Sequence, residues 1–166
     1  MRFPPSEVSH WAHTFTDTGE GRIVDELAPR IRARGYLSRP EFLELCHWKS
    51  PRPRQRYASN TAAEIREATH VALASPDERA KIYILRTLAG VSWPTASVIL
   101  HFCDRRPYPI LDYRALWSVG CRRPPVYTFD FWWAYTEFVR ALARTTRHDM
   151  RTLDRALWQF SKEHQR

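Results

Sequence analysis

Only five glycines interrupt this chain of 166 residues, and each falls where a helix can end. No alternation of apolar and polar residues persists between turn signals, so strands have no pattern to build on. Helical signatures recur instead. Residues 22–34 (RIVDELAPRIRAR) predict a helix closed by Gly35. Residues 39–48 follow Ser38, with Pro40 tolerable in a first turn, and 60–74 predict another helix. The intervening KSPRPRQR at 49–56 cannot be helical throughout, because its two prolines restrict their neighbours. Ser75-Pro76-Asp77-Glu78 spells a helix start, with Ser75 as cap and Glu78 completing a capping box, and that helix is expected to run to about Leu88. Further helices are expected over 93–103 behind Ser92, over 113–119 between Asp112 and Gly120, and over 130–144. The last of these places Phe131, Tyr135, Phe138, Val139 and Leu142 on one face. Pro124-Pro125 breaks the chain before it, and Asp149 caps a final helix carrying Leu153, Leu157 and Phe160. The expectation is an all-α fold of about seven or eight helices, without internal repeats.

The length favours one domain with a real core. A hydrophobic content of 43% with seven Trp excludes disorder as a description of the whole chain. No run approaches the roughly 18 apolar residues a bilayer span needs, and MRFPPSEVSH has no apolar stretch like a signal peptide's. A soluble, cytoplasmic protein without a membrane partner is therefore expected. The net charge is +8, and of 26 basic residues 23 are Arg and 3 are Lys. A planar guanidinium donates two hydrogen bonds at once to a phosphate. A GC-rich genome also enriches Arg, Ala and Pro together, but the net charge still favours a polyanionic partner.

Cys46, Cys103 and Cys121 are odd in number and widely spaced, giving neither a disulfide framework nor a CxxC metal site. His10 and His13, three apart, are read as surface residues. No metal, iron–sulfur cluster or other cofactor is expected.

The segment 82–117 concentrates the chemistry. Leu88-Ala89-Gly90-Val91-Ser92 joins two helices through a tight turn in which Gly90 permits a positive φ or a close backbone approach. The second helix offers N–H groups near Ser92 to Thr95, and a helix N-terminus attracts anions. A phosphate can sit there without contact to any base. Equally, the turn can be a plain helical hairpin with Gly90 as its C-cap. LAGVSWPTASVIL resembles the L-P-G-V-G-x-x-T-A motif of the helix-hairpin-helix DNA glycosylase superfamily, with Leu88, Gly90, Val91, Thr95 and Ala96 matching position by position. YPILDYRAL at 108–116 resembles the region that carries the superfamily's catalytic aspartate, and is particularly similar to the P-I-L-D form of its adenine glycosylase branch. Gly90 and Asp112 stand 22 residues apart, as that layout requires. The resemblance covers about 35 residues well and extends loosely over 40–120.

The chain departs from the family in four respects. Ser92 replaces the second hairpin glycine, and Pro94 stands where glycosylase-lyases carry their Schiff-base lysine. The four-cysteine cluster is missing, and the chain is short. The resemblance thus implies a divergent, monofunctional member acting on a base extruded from DNA. The helix-hairpin-helix core would span about 76–120 of a single domain covering 1–166, with the N- and C-terminal helices packing around it.

It further implies that Asp112 is the catalytic carboxylate, stabilising a cationic, oxocarbenium-like sugar. Asp is also a preferred N-cap, and the two roles are compatible. Gly90, Val91, Ser92, Trp93 and Thr95 would face the DNA backbone, with Arg114 reaching a phosphate or the Asp112 carboxylate. Trp48, Tyr113 and Trp117 are candidates to line a base pocket, although aromatics at helical spacing are commonly core. Lys49, Arg52, Arg54 and Arg56 place four positive charges in one loop, able to track a DNA backbone or simply to be solvated. Arg105-Arg106 and Arg122-Arg123 flank the Asp112 segment and extend the positive charge.

The expected partner is duplex DNA, damaged or modified, and the expected location the nucleoid. A non-catalytic helix-hairpin-helix module is the alternative, and a small helical protein-interaction domain the third reading.

Overall fold

The computed structural model describes residues 1–16, 19–122 and 126–165. The Pro124-Pro125 break and Arg123 lie outside them. The fold is all-α: among the described residues there are ten α-helices, one short 3-10 turn, one π turn and no strand. By their contacts the residues group into two compact units, Thr18–Arg106 and the pair of segments Met1–Asp17 and Pro107–Arg166.

In Thr18–Arg106 a π turn, Ile23–Leu27, leads into α2 (Ala28–Arg34), so the helix expected over 22–34 forms in two geometries. Gly35 ends it at φ +83°, a left-handed cap that costs a residue with a Cβ. α3 (Arg39–Lys49) starts at Ser38, whose amide and hydroxyl both donate to the Glu41 carboxylate. α4 (Arg54–Ala58) is a short helix inside the basic segment. α5 (Ala62–Ala74) is capped by Thr61 and Glu64, a capping box one residue beyond the expected start.

α6 (Glu78–Leu85) differs from expectation at both ends. Asp77 is the cap and accepts from the Ala80 amide, while Ser75 closes α5 and accepts from the Asp77 amide. The helix ends at Leu85, with turn residues 86–87 behind it. α7 (Trp93–Cys103) is buried at every position except Pro94 and packs on α2, α3 and α6. A helix that is apolar all round belongs at the centre of a core, and this one is the core of its unit.

The Lys81 ammonium of α6, 1% exposed, pairs with Asp104 and also donates to the carbonyls of Ala72 and Leu73 at the end of α5. The pair thereby joins α5, α6 and the end of α7.

In the other unit α1 (Val8–His13), α8 (Tyr113–Ser118) and α9 (Phe129–Thr146) all pack on α10 (Met150–His164). Asp149 caps α10, accepting from the Thr152 amide and hydroxyl, and Leu153, Leu157 and Phe160 are buried as expected. The α9 face is shifted. Its buried stripe is Trp132, Tyr135, Thr136 and Val139, whereas Phe131 and Leu142 are half-buried and Phe138 is exposed. Both stripes have helical spacing. Trp132 wins because its ring stacks on Tyr108 at 6.0 Å, 11° from parallel.

Candidate nucleic-acid interface

The turn between α6 and α7 adopts the shape its sequence suggested. Gly90 has φ +85°, and the Val91 amide donates to the Leu88 carbonyl. The close approach that demands a glycine is internal. A Cβ at position 90 would stand 2.8 and 2.9 Å from Cδ1 and Cε1 of Tyr57, and 3.2 Å from Cβ of Arg56. The turn therefore rests on α4, the helix carrying Arg54 and Arg56.

Asn60 fixes the turn in place. Its side-chain oxygen accepts from the Ala89 amide at 2.7 Å, and its side-chain nitrogen donates to the Ala89 carbonyl at 3.0 Å. The same nitrogen reaches the Tyr57 carbonyl. Tyr57 is fully buried, with its hydroxyl 3.3 Å from that of Thr95. Burial pushes its phenol above the usual range, against the pull of the Thr95 hydroxyl.

Five turn residues were expected to face DNA, and they divide by exposure. Ser92 is exposed and Gly90 half-buried, whereas Val91, Trp93 and Thr95 are buried. Trp93 packs edge-on to Tyr83, with Arg86 over its ring at 4.3 Å. Ser92 occupies the N-cap position of α7, but its hydroxyl meets the Thr95 hydroxyl at 3.2 Å instead of capping an amide. Among the described residues the Ser92 and Thr95 amides have no protein acceptor, and Pro94 has no N–H at all. Arg52, Arg54 and Arg56 are all exposed. Trp48 and Lys49 end α3 and are half-buried, Trp48 lying edge-on to Phe102 at 5.4 Å.

Asp112 and its neighbours belong to the other unit. The segment 108–112 is pinned by its backbone: the Ile110 carbonyl accepts from the Tyr135 hydroxyl, and the Ile110 amide donates to Asp154. Arg151 holds the second Asp154 oxygen at 2.6 Å. Burial, with the Asp154 and Asp112 charges behind it, raises the Tyr135 phenol well above its usual range, so it stays a donor. Asp112 itself is half-buried and caps α8, accepting from the Arg114 amide at 2.8 Å. The Arg114 guanidinium lies over Tyr113 at 5.1 Å and Trp158 at 5.4 Å. Tyr113 is exposed. Trp117 is already stacked, on Phe160 at 5.9 Å and under Arg2 at 4.5 Å. Trp117 is half-buried.

Compared with protein-family models, curated proteins and solved structures, the chain gives no match.

Among the described residues no three His, Cys, Asp or Glu side chains gather to hold a metal ion, and no helix is long and apolar enough to cross a membrane. Burial pushes the thiols of Cys46 and Cys103 far up, so neither is a nucleophile at neutral pH.

Sequence reasoning missed Tyr57 and Asn60, which shape the turn. The Thr61-x-x-Glu64 capping box was the available signal for Asn60. It places the helix start at Thr61 and leaves Asn60 outside, free to reach across the chain.

Proposed function

We propose that this protein binds duplex DNA through the 88–92 turn and the 52–56 arginines, and that it is a monofunctional glycosylase acting on an extruded base. The observation that carries the binding reading is the seating of Gly90 on Arg56 and Tyr57. That contact sets the start of α7, with amides lacking a protein acceptor, beside the exposed Arg56, and Arg52 and Arg54 are exposed in the same segment. The resemblance of 108–116 to a glycosylase aspartate segment carries the enzymatic part.

In that chemistry the bond between base and sugar C1′ breaks as water adds at C1′. The base leaves with the electron pair of the bond and takes up a proton. Asp112 would stabilise the positive charge that develops on the sugar. Pro94 supplies no amine, so no Schiff base forms and the abasic strand stays intact until treated with alkali.

The test is base release from a panel of damaged and mismatched duplexes, with Asp112→Asn beside wild type. Asn keeps the size and most of the capping ability of Asp. Binding should be retained, while release slows on the order of 10²–10³-fold. Full activity in the variant would overturn the catalytic assignment.

A second reading has its own support. The Asp112 carboxylate is already engaged as the cap of α8, a complete structural role. A non-catalytic DNA-binding module would bind with the same salt dependence and release no base from any duplex.

A further inference from the structure

A groove of about 510 Å³ opens within Thr18–Arg106 and shares no lining residue with the 88–92 turn. One wall is apolar, formed by Leu73, Ala74 and Pro76. Arg32 from α2 and Arg105 from the bend after α7 line it together, both exposed. Neither guanidinium makes a hydrogen bond or ion pair among the described residues. Other arginines of this unit are engaged: Arg34 with Glu41, and Arg106 with Glu78 and the carbonyls of Ser75 and Pro76.

The acidic group in the groove is neutralised. Asp104 is held by Lys81 and also accepts from the Arg106 amide. His70 stands at the rim, its Nδ1 3.4 Å from the Gly35 carbonyl. Two uncommitted cations facing one concave, half-apolar space fit an amphipathic anion. Ligand pockets of roughly 300–1,000 Å³ have this composition, a largely apolar lining with a few convergent polar groups. Two forked guanidiniums from separate elements suit a phosphate, which offers three oxygens and up to two charges, better than a single carboxylate.

We propose that this groove binds a phosphorylated small molecule of about mononucleotide size, its phosphate between Arg32 and Arg105 and its organic part against Leu73, Ala74 and Pro76. The site is independent of the DNA reading above and stands if that reading fails.

Calorimetric titration of the full chain with deoxyadenosine 5′-monophosphate, deoxyadenosine and inorganic phosphate tests it. The monophosphate should bind, and inorganic phosphate should compete with it. The nucleoside should bind at least about tenfold more weakly, since each charge-assisted contact is worth a tenfold step or more. Arg32→Ala and Arg105→Ala should each weaken the monophosphate about tenfold, and the double variant should abolish binding. Both residues are exposed, so the melting temperature should not move. Duplex affinity should fall far less in the double variant than in Arg54→Ala/Arg56→Ala, which separates this site from the DNA surface. No heat at millimolar monophosphate, or undiminished binding in the double variant, overturns the proposal. It is overturned equally if duplex DNA displaces the monophosphate and the double variant loses duplex affinity, for the groove is then part of a nucleic-acid track.

Discussion

At the scale of single residues, Gly90 shows how a motif position can be right for a reason the motif does not state. The sequence leaves that glycine two uses, a close phosphate approach or the cap of a plain hairpin, and in the structure its missing Cβ makes room for the Tyr57 ring. Gly90→Ala should therefore destabilise the protein by about 2–4 kcal/mol, combining a left-handed φ with overpacking against a buried aromatic. Urea unfolding measures this, and the loss should shrink when Tyr57→Leu is added. An unchanged midpoint for Gly90→Ala would show that the turn relaxes freely. For this reason a bulky residue at position 90 reports on folding before it reports on DNA, and the arginines of α4 are the cleaner probes of binding. The tight turn was legible from Leu88 to Ser92. Tyr57 was not, because a tertiary contact across 33 residues leaves no local signal.

Among the elements, the helix starts show which sequence signals compete. Ser75, Pro76 and Glu78 matched a capping box, yet Asp77 caps α6. A carboxylate placed just before the first turn accepts more strongly than a hydroxyl two residues earlier and also favours the positive end of the helix dipole. Asp77→Ala should cost about 1 kcal/mol in thermal or urea unfolding, and Ser75→Ala clearly less. Equal costs would return the cap to Ser75.

α9 was legible as a helix but not as to its face. With Phe131, Trp132, Tyr135, Phe138 and Val139 spread around it, two stripes satisfy the same spacing. Stacking of Trp132 on Tyr108 decides between them.

The α2–α3 junction carries a pH signature. Burial works to raise the Glu41 carboxyl, but the Ser38 amide and hydroxyl and the Arg34 guanidinium outweigh it and hold the group below its ordinary value of 4.5. Its contribution is complete above that value and is lost as pH falls through the lower, folded one. Acid unfolding followed by circular dichroism should accordingly steepen below about pH 4.5. Glu41→Gln should flatten that limb while lowering stability at neutral pH.

For the whole molecule, charge and core make separate demands. The all-α class was readable from cap spacing and scarce glycine alone, since these need no partner elsewhere in the chain. The division into two groups of contacts was not, because Phe3 and Trp11 near one end pack with Phe160 near the other, a pairing only the folded chain reveals. The net charge of +8 sets the binding expectation. Log affinity for duplex should fall linearly with log salt, by about 0.9 for each phosphate contacted, and Arg54→Ala/Arg56→Ala should lower that slope by up to about 2. A flat dependence would remove nucleic acid as the partner. In the core, Lys81 and Asp104 must stand or fall together. Removing one strands a buried charge, at about 3–5 kcal/mol, whereas replacing both with apolar residues of matching size should cost far less. A double-mutant cycle on urea midpoints measures the difference.

The Asn60 amide group gives Ala89 what a neighbouring strand would give, one donor and one acceptor set against a single peptide. A lone side chain thus does the work of one rung of a sheet in a protein whose described residues contain no sheet. The consequence is dynamic. The Ala89 proton should exchange with solvent only when Asn60 lets go, so its exchange rate is a clock for the opening of the turn. Asn60→Asp would set a carboxylate oxygen against the Ala89 carbonyl and hold that rung half-open, letting the clock run fast while the helices on either side keep their own time.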